Sequence, residues 1–394
     1  MSNTVIEQKD ASGADKRGRQ SVAFLGGAAI ASFSIVLSLL VAEAGYRVAF
    51  GVPMLDVSDW RVDGVRTKRI GERAITDERL GWTLQPFYKS DGFNTIGHGV
   101  RQNFDETAVR TGSVLAVGDS FTEGFDEVTD NGTWPAHLEK ILSKPVINAG
   151  VAGYAADQIL LRAEDMLEAI KPQTMIIGFT EVDVYRSALS EAGAPKPYFT
   201  IEKDELVFHP AGPIEAKTDE NPAASALRGV LGHSALANHL FSRLSPAFWY
   251  PQEASVYREV DNEPLKVICR LLTKTKRLAD DRDVRLLLFL QYAGELVLEE
   301  QEIIPEMAHI TKCAQETGIQ VVDQFAPLKA VTKGNVDLVA EYYDVQNDEF
   351  GHMSSKGNRH AAELLAKALN AEETDGEPAG PQNATLVDGK PLQN

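Results

Sequence analysis

Five short apolar runs constrain what this chain can fold into more than any other feature. They are "VLAVG" from Val114, "PVINAG" from Pro145, "TMIIGF" from Thr174, "VRLLLFLQ" from Val284 and "IQVVD" from Ile319. Between them lie stretches with helical periodicity: "WPAHLEKILS", "ADQILLRAEDMLEAI", "PLKVICRLLTKTKRLA" and "EEQEIIPEMAHITKCAQET". Unbroken apolar runs of this length read as strands covered on both faces, the habit of parallel sheets, and right-handed crossovers place the intervening helices on both sides. The expectation is a three-layer α/β/α domain with a five-stranded parallel sheet over residues 113–370, ending in a helix from about Ser355 to Leu369.

The rhythm breaks between residues 185 and 262. "PYFTIEKDELVFHP" reads as a hairpin around Lys203 and Asp204, and "SALANHLFSRL" as a short amphipathic helix. An insertion at the carboxyl end of a sheet strand is expected to form a cap over that end. Residues 44–112 read as an irregular segment ahead of the main sheet, with "DERLGWTLQP" and "NTIGHGVRQNF" as short strands and turns. Residues 371–394 mix Pro, Gly and acids without periodicity and read as a disordered tail.

Residues 21–43 hold the uncharged run "VAFLGGAAIASFSIVLSLLVA" (22–42), just long enough to cross a bilayer as a helix, after Lys16, Arg17 and Arg19 in the first 20 residues. The length favours an uncleaved single-pass anchor in the inner membrane. A cleaved signal peptide stays open, because "LSLLVAEAG" offers a weak cleavage site. Basic residues before the run favour a cytoplasmic N-terminal segment (1–20) and a main domain on the far side, in the periplasm.

With 39 Lys plus Arg against 57 Asp plus Glu, the net charge of −18 repels phosphate backbones and argues against a nucleic-acid partner. The two cysteines, Cys269 and Cys313, match no metal or redox spacing. They lie on successive helices flanking one strand. Two buried free thiols are the expected state, with a disulfide open if the domain is in an oxidising compartment.

Chemistry concentrates at two places. Gly118, Asp119 and Ser120 end the first sheet strand, where open parallel sheets bind ligands. His352 stands in "DEFGHMSSKG" with Asp348 and Glu349 upstream. Alone, Ser120 is an ordinary helix cap and His352 an ordinary loop histidine. Together they supply a nucleophile, a base and an orienting acid.

In this combination the chain resembles the SGNH/GDSL hydrolase family, and its membrane-anchored bacterial members in particular, over roughly residues 43–369. "GDSFTEG" is similar to the family's first block, with Ser120 at the nucleophile. "VINAGVAGYAADQ" is similar to the second, with Gly153 at the glycine whose N–H helps hold the oxyanion. "DEFGHMSSKGNRHAAELLA" is similar to the last, with His352 at the base. The segments "LGWTLQP" and "NTIGHGVR" also look like those that precede the first block in anchored members. The resemblance implies the flavodoxin-like sheet of the SGNH fold and an acyl-enzyme reaction needing no metal or organic cofactor. Its implied substrate is an ester-bearing carbohydrate or lipid, through a serine esterase or O-acyltransferase activity on an envelope glycan, lipid or exported polysaccharide.

Two departures stand out. The family's third block carries an Asn that donates to the oxyanion. Here "GFTEVDVY" places Val182 at the Asn position and Asp183 at the following Asp, so one donor is missing. The competing reading is therefore a non-catalytic SGNH-like protein that binds glycans or serves polysaccharide assembly. The second departure is the triad acid. The family spacing of three before the histidine selects Glu349, while Asp348, four before it, stays open. Asp119 and Asp183 are expected to support the site.

Overall fold

A computed structural model describes residues 12–56, 60, 70–105, 108–110, 113–213, 222–249, 257–346 and 349–375. The sequence readings for residues 1–11, for Asp348 and for the tail from residue 376 lie outside the described residues. The chain divides into two compact units, Met1–Lys68 with Ile214–Ala254, and Arg69–Pro213 with Ser255–Asn394.

The second unit contains the sheet. Its strand order across the sheet is Gln320–Asp323, Arg285–Leu290, Thr174–Phe179, Val114–Val117, Val146–Asn148, Val100–Arg101 and Thr95–Ile96. The first five pair in parallel and the last two join antiparallel. In chain order the parallel strands run 5-4-3-1-2, the flavodoxin-like arrangement, with the switch point between Val114–Val117 and Thr174–Phe179. All four residues of Val114–Val117 are buried, as are five of the six in Arg285–Leu290. The unbroken apolar runs thus have the origin expected of them, because helices cover both faces. Trp134–Leu142 packs with Ser355–Asp375 in one layer, and Ala156–Ile170 with Pro264–Asp280 and Pro305–Glu316 in the other.

The two antiparallel strands come from the segment that reads as irregular. Each is two residues long, too short to show a periodicity. The insertion is also not one element. Its strands Leu189–Ala192, Ala194–Pro195 and Tyr257–Glu259 and the expected hairpin Tyr198–Glu202/Glu205–His209 belong to the sheet unit. Residues Ile214–Ala254 instead cluster with the N-terminal segment.

The cysteines correct the sequence reading. Cys269 and Cys313 are half-buried and joined in a disulfide, their Cα atoms 5.8 Å apart. Pro264–Asp280 and Pro305–Glu316 lie side by side on one face of the sheet, which brings the two positions within bridging distance.

In the first unit, one helix, Ser12–Phe50, includes a stretch, Ala29–Phe50, long and apolar enough to cross a membrane by length and composition. Near its end Glu43 accepts hydrogen bonds from Ser234 Oγ (2.6 Å) and from the backbone N–H groups of Ala235 (2.9 Å) and Leu236 (3.0 Å), capping the helix Ala235–Leu244. Arg47, buried beside Glu43, donates to the carbonyls of Pro53, Asp56 and His233.

Candidate active site

The turn that carries Ser120 follows from sterics. A Cβ on Gly118 would stand 2.1 Å from Thr122 Oγ1, so only glycine lets the chain fold back there from strand to helix. Asp119 then caps the one-turn helix Ser120–Glu123, accepting from Phe121 N–H at 2.8 Å. Ser120 sits at the first helical position, at the carboxyl edge of the sheet beside the switch point.

His352 reaches it from the strand Glu349–Met353. Its Nε2 lies 2.8 Å from Ser120 Oγ, and its Nδ1 lies 2.9 Å from Glu127 Oε1. The ring stacks on Phe125 (centroids 4.9 Å) and tilts against Phe121. Burial pushes the imidazole pKa down, but the hydrogen bond and charge of Glu127, with Asp119 and Glu123 behind, outweigh it and leave it raised. For Glu127 burial pushes upward, and the contact with His352 reverses this to a net lowering. The pair is thus arranged as an ionised acid that favours a proton on Nδ1, which leaves Nε2 to face the serine.

The partner of His352 is therefore not the one the sequence spacing selects. Glu349 is exposed at the start of its strand, with no hydrogen bond to His352 among the described residues. Three residues of extended chain separate their Cα atoms by about 10 Å, whereas the spacing argument assumes a compact loop. Asp348 lies outside the described residues. Glu127 is brought in by a reversal in which Gly124 and Phe125 both take positive φ (90° and 38°). Buried Arg101 fixes that reversal by donating to the carbonyls of Glu123, Phe125 and Val128 (2.9, 2.9 and 2.7 Å) and to Asp130 Oδ1 at 3.0 Å. Neither Glu127 nor Arg101 stands in a block that the sequence marks as catalytic. The available signal was an acid seven residues after the serine, following a Gly-Phe pair suited to a turn.

Asp119 and Asp183 hold the backbone at the switch point. Asp183 accepts from Thr180 N–H (2.8 Å), and Thr180 Oγ1 donates to Asp119 Oδ2 (3.3 Å). Burial, then the Asp119 charge, pushes the Asp183 carboxyl well up. Next to it, burial raises Glu181 to about 7. Val182 is 39% exposed and, being valine, offers no donor.

The second block forms the facing wall. Gly153 takes a φ of +79°, and neither its N–H nor that of Ser120 has an acceptor among the described residues. A Cβ on Gly150 would fall 2.2 Å from Glu123 N, which ties this loop against the turn that carries Ser120. Gly150→Ala is accordingly expected to destabilise the domain by a few kcal/mol, read as a lower urea midpoint at unchanged slope. Beside Gly153 opens a cleft of about 580 Å³, whose walls include Arg73, Trp82, Tyr88, Phe125 and Asp126.

Among the described residues no cluster of His, Cys, Asp and Glu is arranged to hold a metal ion. A serine at the carboxyl edge of a flavodoxin-like sheet, touched by a histidine that an acid orients, completes the pattern begun by the three sequence blocks. The chain resembles the SGNH/GDSL hydrolases.

Neither a protein-family model nor a curated protein matches the sequence. Among solved structures, the chain is similar to one described as a lipolytic protein of the G-D-S-L family from Desulfitobacterium hafniense DCB-2, at 16% identity and a TM-score of 0.35, covering 65% of this chain and 99% of that one. It is similar to an acetyl xylan esterase at 13% identity and a TM-score of 0.37, covering 65% and 98%. It is also similar to an acetylxylan esterase from Geobacillus stearothermophilus at 16% identity and a TM-score of 0.36, covering 67% and 95%.

Proposed function

We propose that the protein is a serine esterase or O-acyltransferase, anchored in the inner membrane with its sheet domain in the periplasm. Its substrate would be an acyl ester of an envelope glycan, a lipid or an exported polysaccharide. The observation that carries this reading is His352, which contacts Ser120 Oγ through one ring nitrogen and Glu127 through the other. The Cys269–Cys313 disulfide supports the placement, since such bonds persist in oxidising compartments.

In the proposed reaction, Ser120 Oγ bonds to the ester carbonyl carbon while His352 Nε2 takes its proton. The oxygen that becomes negative turns toward the N–H groups of Ser120 and Gly153. Glu127 holds the Nδ1 proton and stabilises the imidazolium. Collapse breaks the carbon–oxygen bond of the alcohol, which leaves with the proton from Nε2. Water then attacks the acyl carbon in hydrolysis, or an acceptor hydroxyl does so in transfer, with His352 Nε2 again taking the proton; the bond to Ser120 Oγ breaks, Oγ takes that proton back, and the acid or the new ester leaves.

A fluorophosphonate probe tests the reading, because only an activated serine reacts. Labelling of Ser120 in the native protein, lost on denaturation, is expected. Absence of labelling under conditions that modify a known serine esterase would favour the glycan-binding alternative, which the donor-free Val182 supports. Val182→Asn is expected to raise kcat for a small acetyl ester by up to about a hundredfold, the scale of one oxyanion donor, if the amide points toward the carbonyl. Comparing initial rates of the two proteins checks it.

A further inference from the structure

The N–H of Ser120 takes its direction from the turn that carries it, whereas that of Gly153 leaves a loop between the strand Val146–Asn148 and the helix Ala156–Ile170. With no donor at Val182, stabilisation of the oxyanion depends on these two groups, so the Gly153 peptide has to be held in one orientation. A residue from outside the loop does this. The carbonyl of the same peptide unit, that of Ala152, accepts from Trp82 Nε1 at 3.2 Å. In a trans peptide the C=O and N–H point in opposite directions, so the indole, by taking the carbonyl, turns the Gly153 N–H away from itself. Trp82 also lies against Gly153, where a Cβ would stand 3.5 Å from Cζ2. Just upstream, Ala152 N–H donates to Glu123 Oε1 at 3.2 Å and Val151 N–H to the Gly118 carbonyl at 3.0 Å, which fixes the loop against the turn of Ser120.

Trp82 is itself buried and held from several sides. Its strand, Gly81–Leu84, joins the helix Ala156–Ile170 through Gln158 Nε2, which donates to the Leu80 carbonyl at 2.8 Å, and through Arg162 Nη1, which donates to Thr83 Oγ1 at 2.8 Å. Between these, Tyr154 Oη donates to the Trp82 carbonyl at 2.5 Å, and its ring meets the indole edge-on at 5.6 Å between centroids. The indole is thus fixed to the helix that begins three residues after Gly153. Phenylalanine could fill such a space, but only tryptophan brings an N–H to the Ala152 carbonyl.

We propose that Trp82 is a positioning residue for the ester reaction, setting the direction of the Gly153 N–H through the Ala152 carbonyl. This rests on the hydrolase reading of Ser120.

Steady-state kinetics on a small acetyl ester and on its thiono analogue, in which a weakly accepting sulfur replaces the carbonyl oxygen, tests it. Trp82→Phe is expected to lower kcat for the oxygen ester by about tenfold or more, a part of what a lost oxyanion donor costs, with KM within about twofold of the parent. Turnover of the thiono ester should fall much less, so the preference for oxygen over sulfur shrinks, and the rising limb of the pH profile should stay in place. Should Trp82→Phe fail to fold, the isosteric benzothienylalanine at position 82, with sulfur in place of the N–H, gives the same comparison. Unchanged turnover in the variant, or an equal fall for both esters, would overturn the proposal while leaving the hydrolase reading intact, provided that Ser120→Ala is inert. Equal ester turnover by the parent and Ser120→Ala would remove the hydrolase reading and the proposal with it.

Discussion

Glu127→Gln is expected to lower kcat/KM for a small acetyl ester by about three to four orders of magnitude, the scale seen when a triad acid loses its charge but keeps its shape. The amide can still touch Nδ1, but it no longer favours a proton there or balances the imidazolium. The pH dependence should move as well. In the parent, Glu127 helps hold the His352 pKa above its ordinary value, so activity should rise with pH through an apparent pKa above that of free histidine. With Glu127 neutral, burial still pushes the imidazole down and its main opponent is gone, so the rising limb should shift to lower pH as the plateau falls. Glu349→Gln should leave both the plateau and the limb within about twofold of the parent, since an exposed side chain away from the ring has little leverage. Steady-state kinetics across the pH range, on proteins with matching thermal midpoints, checks both variants.

That contrast also marks where the sequence stops being informative. The parallel strands announce themselves because helices cover both faces of the sheet, which leaves the central strands apolar along most of their length. Ser120 stands out because it ends the first of them at Gly118. His352 stands out through its acids, yet the acid that its ring contacts lies 225 residues away in the chain. Glu127 arrives there through two consecutive positive-φ residues and a buried arginine that ties down three carbonyls, none of which leaves a periodic signal. The spacing rule that selects Glu349 assumes a compact loop, whereas the segment is a strand paired with Tyr343–Gln346. Arg101 lies in "NTIGHGVR", legible only as a block preceding the serine, and its role depends on contacts with the turn beyond that serine.

Ser120→Ala should have the larger effect, abolishing ester turnover to the level of general binding and oxyanion contributions, a loss of about 10⁴-fold or more. His352→Ala should fall to a similar level, and the double variant scarcely lower, because the two act as one unit. Additive losses would mean that the two side chains contribute separately, against the transfer of one proton between them.

The central claim is that Ser120 carries the acyl group between two chemical steps. Rapid quenching of the protein with an activated acetyl ester, followed by peptide mass spectrometry, tests it most directly. The predicted result is one acyl group on the peptide containing Ser120, formed within the first turnover, absent from Ser120→Ala, and discharged on dilution into water or an acceptor alcohol. Steady ester turnover by the parent with no acyl group on Ser120, and equal turnover by Ser120→Ala, would contradict it.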